Sequence, residues 1–118
     1  ALADNLKEVI DEHGLEAGLL RFVELKTSGF SGYFVSEGQL NGLGYGYLMT
    51  EKLPEALAIF KLNVELHPTS GNTHDSLGEA LLANGQKEEA LAEYRQSLAL
   101  DPTNENAVKV IADLTEPE

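Results

Sequence analysis

The stretch HDSLGEALLANGQKEEALAEYRQSLALDP, residues 74–102, decides the fold because its landmarks also occur 34 residues earlier. A period in the range of about 20–50 residues is typical of repeat proteins, in which neighbouring units stack to bury a shared core. The sequence therefore predicts two copies of one structural unit. The matched positions are Leu43 and Leu77, Gly44 and Gly78, Tyr47 and Leu81, Ala56 and Ala90, Phe60 and Tyr94, and Pro68 and Pro102.

Each copy is predicted to be a pair of antiparallel helices. Asn84-Gly85 is a helix stop, because glycine readily adopts the left-handed cap conformation. Pro68 and Pro102 end the second helices, and the Ser and Asn two residues after them, Ser70 and Asn104, offer N-cap oxygens to the helices that follow. The apolar residues with helical spacing are 56, 57, 60 and 64 in one copy and 90, 91, 94 and 98 in the other.

The period and its residue pattern resemble the tetratricopeptide repeat, a helix–turn–helix unit with Leu-Gly early, Ala and Phe or Tyr late, and Pro at its end. The resemblance covers residues 37–104 as two repeats, 37–70 and 71–104. It implies an all-α fold, a right-handed superhelical stack of antiparallel helix hairpins with about seven helices. Residues 1–36 are predicted to be a degenerate hairpin followed by a glycine- and aromatic-rich loop, and residues 105–118 a capping helix with a tail.

Two flanking segments complete the predicted stack. Upstream, two helices are separated by Gly14, and downstream a helix with one apolar stripe is suited to covering the last repeat. The residues expected to face the core are Leu6, Val9 and Ile10 on the first helix, Leu15, Leu19, Phe22, Val23 and Leu25 on the second, and Ala107, Val110, Ile111 and Leu114 on the last.

The glycines of NGLGYGYLM, residues 41–49, raise the possibility of a phosphate-binding loop. A dinucleotide-binding fingerprint needs Gly-x-Gly-x-x-Gly between a buried strand and a helix. This stretch lacks the final spacing and no strand pattern precedes it. We therefore interpret it as a helix in which Gly44 lies where paired helices approach closely. Gly42 and Gly46 have no such explanation, although each costs the helix about 0.5–1 kcal/mol relative to alanine.

Composition disfavours several classes of function. The formal net charge is −12, and only eight Lys and Arg residues are scattered along the chain, whereas nucleic-acid binding needs clustered positive charge. The absence of cysteine excludes disulfides, thiolate metal sites and cysteine nucleophiles. No apolar run approaches the roughly 20 residues of a membrane span. We expect a soluble chain, cytoplasmic or periplasmic, that neither binds nucleic acid nor inserts into membranes.

The sequence contains no recognisable catalytic arrangement. His67, His74 and Asp75 lie around the predicted inter-repeat turn, and a metal-dependent hydrolase built on them is one hypothesis. A closed metal site needs at least about three convergent ligands with a supporting second shell. We instead interpret the histidines as capping or solvated groups. We expect no metal, no cofactor and no enzymatic activity.

The resemblance implies that the first helices of successive hairpins line a concave groove that binds a protein or peptide. Only Lys109 is expected to bring positive charge there, so a grip on a C-terminal carboxylate is not expected. Asn63 and Ser76 are interpreted as braces of the turn between repeats. The predicted groove residues are Asn41, Tyr45, Met49, Asn72, Asp75, Glu79 and Lys109.

The junction NVELHPTSGNTHDSLGEA, residues 63–80, supports an alternative. It resembles a bacterial branch of the family in which such modules lie C-terminal to serine β-lactamase-like and other hydrolases. This resemblance implies a structural appendage or dimerisation module of a larger hydrolase. Its contact would be the apolar loop at residues 29–35, through Phe30, Tyr33 and Phe34, and a homo-oligomer is one possible result.

Overall fold

The computed structural model describes residues 1–116, and the last two residues of the tail predicted at 116–118 lie outside them. Within the described residues the chain is all-helical with no strand, which confirms the predicted fold class. None of these helices has the length and apolarity needed to cross a bilayer. The helices are α1 Leu2–His13, α2 Leu15–Thr27, α3 Glu37–Met49, α4 Leu53–Leu66, α5 Gly71–Ala83, α6 Lys87–Leu100 and α7 Glu105–Thr115.

The helices stack as hairpins, because short turns join α1 to α2, α3 to α4 and α5 to α6. The second helix of a repeat also packs against the first helix of the next, as α4 does on α5 and α6 on α7. In addition, α1 contacts α3 and α3 contacts α5. These three helices therefore line one side of the stack, here called the inner face.

In each repeat hairpin, a glycine on the first helix lies directly under an aromatic ring of the second helix. A methyl group on Gly44 would come within 3.0 Å of three ring atoms of Phe60, and one on Gly78 would lie 2.9–3.2 Å from three ring atoms of Tyr94. Real Cβ contacts below 3.0 Å are essentially never seen. Both rings are buried. The close approach of the two helices therefore requires glycine on the first helix of each repeat.

A polar contact also occurs at the same place in both repeats. Asn63 Nδ2 donates to the carbonyl oxygen of Glu37 at 3.0 Å, and Ser97 Oγ donates to that of Gly71 at 2.7 Å. Both side chains are buried, so these bonds satisfy groups that would otherwise be costly to bury. Each second helix is thus tied to the first residue of its partner helix within the same repeat.

The turns follow the predicted chemistry in part. Gly85 has a φ of 75°, and Glu51, at the same place in the preceding repeat, has a φ of 61°.

Asn104 accepts a cap bond from Ala107 N at 3.1 Å. Ser70 occupies the N-cap of α5 but makes no side-chain cap bond. The carbonyl oxygen of Ser70 instead accepts from Thr73 Oγ1 at 2.9 Å, so the cap predicted from the Ser70 hydroxyl was wrong.

The first hairpin departs from the predicted pattern on α2. Phe22 and Leu25 are buried, but Leu19 is 37% and Val23 58% exposed. The reason is that α2 packs closely on α1, whereas α1 rather than α2 makes the substantial contact with α3. The face of α2 that carries Leu19 and Val23 consequently remains in solvent, and the prediction that both face the core was wrong.

The loop after α2 packs against this hairpin. The Phe30 ring lies 5.7 Å from that of Phe22, and Arg21 donates to the Tyr33 hydroxyl at 3.1 Å. The carbonyl oxygen of Phe34 accepts from Leu2 N at 2.8 Å. The Phe34 side chain is nevertheless 65% exposed. Of the three aromatic residues proposed as a contact surface, Phe34 is the one whose ring is largely available.

Candidate functional site

Hydrogen bonds between side chains join α3 to α5 on the inner face. Ser76 Oγ donates to Asn41 Oδ1 at 2.6 Å, and the Tyr45 hydroxyl approaches Glu79 at 3.4 Å. The Tyr45 ring meets the Phe60 ring edge to face, with centroids 5.1 Å apart. Burial raises the pKa of Tyr45. The tyrosine is therefore a neutral, oriented group that links two helices of the stack.

Asp75 makes the corresponding connection between α5 and α7. Asn104 Nδ2 donates to Asp75 Oδ2 at 2.8 Å, and Asn106 Nδ2 lies 3.3 Å from the same oxygen. The structure thus joins four of the predicted groove residues by hydrogen bonds across helices. It does not bring the other three into these hydrogen bonds. The joined residues are Asn41, Tyr45, Asp75 and Glu79; the others are Met49, Asn72 and Lys109.

A cleft of about 570 Å³ lies between α1 and α3. Gly42 and Gly46 line it, and a methyl group added to either would meet no heavy atom within 4 Å. Because these glycines carry no side chain, the backbone of α3 is open to the cleft. The residues that line this α1–α3 cleft are Ala3, Asp4, Lys7, Asp11, Gln39, Gly42, Leu43, Gly46, Tyr47, Thr50 and Lys52.

A short hydrogen-bonded chain fixes the wall of the cleft. Lys7 Nζ donates to Asp11 Oδ2 at 2.6 Å, and the Tyr47 hydroxyl donates to Asp11 Oδ1 at 2.8 Å. The bond from Lys7, followed by that from Tyr47, lowers the pKa of Asp11. Burial, followed by the bond to Asp11, raises the pKa of Tyr47. Tyr47 thereby ties the first hairpin to the first repeat.

The Asp11 bonds predict a stability effect at acid pH. Because the folded-state pKa of Asp11 is below the unfolded value, its contribution is present above about pH 3.8 and is lost as pH falls through the folded pKa. Asp11→Asn should therefore lower the free energy of unfolding at pH 6 by under ~1 kcal/mol, because the pair is partly exposed. Urea unfolding of both proteins from pH 6 to pH 2 should show this difference shrinking. A difference that grows on acidification would contradict the assignment.

Two of the three histidines, His74 and His67, contact polar groups of the fold. His74 is buried, with Nδ1 2.9 Å from Glu93 Oε1 and Nε2 2.8 Å from the carbonyl oxygen of Pro68. His67 Nδ1 lies 3.0 Å from Asn63 Oδ1. Within residues 1–116 no three His, Asp or Glu side chains are arranged to hold a metal ion. His74 is therefore a buried bridge, and its interpretation as a solvated or capping group was wrong.

Comparison with known families identifies one segment of this stack. The tetratricopeptide repeat family model matches residues 71–104. This segment is similar to a tetratricopeptide repeat. It contains α5 and α6, with the Gly78–Tyr94 contact and the Asp75 and Glu79 side chains of the inner face. A search of curated proteins finds no significant match.

Solved structures with the same fold extend the likeness to nearly the whole chain. The first tetratricopeptide domain of human RPAP3 superposes with a TM-score of 0.67 at 18% identity, covering 97% of this chain and 87% of that one. The first such domain of Spaghetti (RPAP3), bound to the HSP90 peptide SRMEEVD, gives 0.66 at 18% identity with the same coverage. MamA (AMB-1) gives 0.60 at 20% identity, covering 96% of this chain, which spans 60% of that one. These structures share the fold over nearly the whole chain, and the family model matches one repeat within it.

The α1–α3 cleft was not predicted as a site. Lys109 was expected to be the only positive charge near the groove, but Lys7 and Lys52 line the cleft. The helix α1 forms one wall of the cleft, and its sequence lacks the repeat pattern. The 34-residue period therefore could not predict that wall. Gly42 and Gly46 were the one sequence feature that could have indicated the cleft, because both glycines destabilise the helix and neither has a packing role.

Proposed function

We propose that this chain is a non-catalytic module that binds a protein or peptide on its inner, concave face, with the α1–α3 cleft at the centre of the site. The single observation that carries the proposal is the cleft of about 570 Å³ at two glycines that have open space around them. Ligand sites are typically concave and largely preformed. The two glycines destabilise α3, and their presence is explained if a ligand occupies the space that they leave in the cleft.

The hydrogen bonds of the inner face support a preformed site. Asn41, Tyr45 and Asp75 bond to neighbouring helices, so the spacing of α3, α5 and α7 is set before a ligand arrives. Preorganisation of this kind lowers the entropy lost on binding. The peptide-bound tetratricopeptide domain of similar fold is a precedent for such a surface.

The chemistry of the inner face suits an extended peptide. One side chain would enter the cleft over Gly42 and Gly46, where Leu43 and Ala3 offer apolar contact. Met49, which is 81% exposed, would extend that contact along α3. Lys52 in the cleft lining would bind an acidic group at one end of the peptide, and exposed Glu79 on α5 would bind a basic group at the other end.

Filling the cleft tests this function. Binders would be selected from a phage-displayed library of random heptapeptides and their Kd measured by fluorescence anisotropy. The double variant Gly42→Leu with Gly46→Leu should bind them at least ~10-fold more weakly, as a loss of roughly 1.4 kcal/mol or more. Thermal unfolding should show no loss of stability, because leucine is the better helix former by up to about 1 kcal/mol per site.

The control is Gly38→Leu, on the same helix but outside the cleft lining. Its Kd should stay within about twofold of the wild type, since that change corresponds to only ~0.4 kcal/mol. Selected peptides that bind the double variant and the wild type equally would reject the cleft as the site.

A second candidate function uses the loop at residues 29–35. The exposed Phe34 ring on an anchored backbone favours a contact surface, and the chain would then be a structural appendage or dimerisation module of a larger bacterial hydrolase. In that case Phe34→Ser should abolish partner contact or concentration-dependent association in sedimentation experiments, while the cleft-filling variant should leave both unchanged. The opposite pattern favours the groove.

A further inference from the structure

The second helices of the three hairpins can be aligned by their buried residues. A small residue, an aromatic ring and a third buried residue recur at the same spacing on α2, α4 and α6. Because these residues form the side of each helix that packs into its hairpin, the positions on the opposite side also correspond. The matched buried residues are Gly18, Ala56 and Ala90; Phe22, Phe60 and Tyr94; and Leu25, Asn63 and Ser97.

In this alignment α2 carries aliphatic side chains on an outer side where the later hairpins carry small or charged ones. Val23 corresponds to Lys61 and Arg95, which are both exposed, and Leu20 corresponds to two alanines. Leu20 is nevertheless 62% exposed. Since α4 lies between the first hairpin and α5, exposure of this side is a property of the hairpin and does not depend on lying at an end of the stack. The feature to explain is the aliphatic residues on α2.

These residues belong to an exposed stripe along α2 with spacings of four, three and four residues. The two ends of the stripe are polar and its middle is aliphatic. Leu19, which is 37% exposed, widens the aliphatic part. The stripe, here called the α2 outer stripe, consists of Glu16, Leu20, Val23 and Thr27.

We propose that the α2 outer stripe pairs with the same stripe of a second copy of this chain, with the two helices antiparallel, to form a weak homodimer. In the register that sets Leu20 opposite Val23 of the second copy, a twofold axis also sets Val23 opposite Leu20 of the second copy. Glu16 then lies at the level of Thr27 and Lys26 of the second copy. The stripe is separate from the groove, so this proposal does not depend on the proposed function.

Charge makes α2 the helix at which two copies repel each other least. The helix carries two acidic residues, Glu16 and Glu24, and two basic ones, Arg21 and Lys26. Each of the other six described helices carries more acidic than basic residues, and like charges brought together in a contact oppose it. Lys26 lies 3.2 Å from Glu65, but its side chain is 52% exposed and can reach Glu16 of the second copy.

Sedimentation equilibrium tests the proposal. Three aliphatic side chains per copy make a small interface, so we expect a monomer–dimer equilibrium with a Kd on the order of 0.1 mM. The double variant Leu20→Ala with Val23→Lys gives α2 the residue types that α4 carries, and it should raise Kd at least ~10-fold. The matched control is Val108→Lys on α7, where the valine is 52% exposed, and it should change Kd by less than about twofold.

A charge exchange tests the antiparallel register. Glu16→Lys should weaken dimerisation at least ~3-fold at low salt, and adding Lys26→Glu should restore it, because the opposite charges then meet again across the twofold axis. Circular dichroism checks that each variant keeps the helical fold. A chain that stays monomeric up to about 1 mM would overturn the proposal. So would an equal loss with Val108→Lys, a loss with Phe34→Ser, or a failure of Lys26→Glu to restore the dimer.

Discussion

Gly44→Ala should destabilise the fold by about 2–3 kcal/mol, whereas the same substitution two residues to either side should stabilise it. A methyl group on Gly44 comes within 3.0 Å of three atoms of the buried Phe60 ring. The ring is packed between α3 and α4 and cannot move without opening the hairpin. Overpacking then outweighs the roughly 1 kcal/mol gained when alanine replaces glycine in a helix.

Gly42→Ala and Gly46→Ala are the controls on the same helix. Neither added methyl group meets a heavy atom within 4 Å, so each should raise the free energy of unfolding by about 0.5–1 kcal/mol. Gly78→Ala should cost less than Gly44→Ala, because its contacts with Tyr94 are 2.9–3.2 Å. Urea unfolding followed by circular dichroism measures all four. Equal effects at positions 42, 44 and 46 would refute the packing role of Gly44.

A compensating substitution identifies the ring as the cause. Phe60→Leu in the Gly44→Ala protein should recover at least about 1 kcal/mol, since the smaller side chain relieves the overlap. In the wild-type protein Phe60→Leu alone should instead be destabilising, because it leaves unfilled space in a packed core. A double-mutant cycle with no coupling between the two sites would show that the cost of Gly44→Ala arises elsewhere.

The repeated part of the fold could be predicted because its contacts depend on local residue types. Gly44 and Gly78 recur with the aromatic residues that cover them, and both the helical spacing and the turn at Gly85 are local signals. The exposure of Leu19 and Val23 could not be predicted. It depends on α1, rather than α2, meeting α3, and an apolar helix pattern indicates which side can be buried but not which neighbour buries it.

The part of the candidate site that lies within the repeats could be predicted, and the part that involves α1 could not. Tyr45 and Glu79 occupy the same position in successive repeats, and the structure joins them at 3.4 Å. The pairing of Asp11 with Tyr47 at 2.8 Å sets the position of α1, although 36 residues separate the two and α1 lacks the repeat pattern. The α1–α3 cleft depends on this pairing. Only the α3 side of the cleft could be inferred from the sequence, because Gly42 and Gly46 lie there.

The second large effect is expected at the buried bridge between α5 and α6. His74 is 7% exposed, and both ring nitrogens face oxygen acceptors, Glu93 Oε1 at 2.9 Å and the Pro68 carbonyl at 2.8 Å. The bridge thus joins the turn before α5 to the middle of α6. His74→Phe keeps a ring of similar size but removes both ring nitrogens. It should cost about 2–3 kcal/mol, because the Glu93 carboxylate and the Pro68 carbonyl both lose the polar atom that contacts them from a buried ring.

A double-mutant cycle distinguishes lost hydrogen bonds from poor packing of the new ring. If the cost comes from the stranded carboxylate, Glu93→Leu in the His74→Phe protein should recover at least half of it, since replacing both partners of a buried polar pair by apolar groups is often nearly neutral. His13→Phe is the control for the substitution itself, because His13 is 67% exposed and the change should stay within ~0.5 kcal/mol. Additive losses at positions 74 and 93 in urea unfolding would mean that the two side chains are not coupled, and the bridge would then contribute nothing beyond the packing of its two ends.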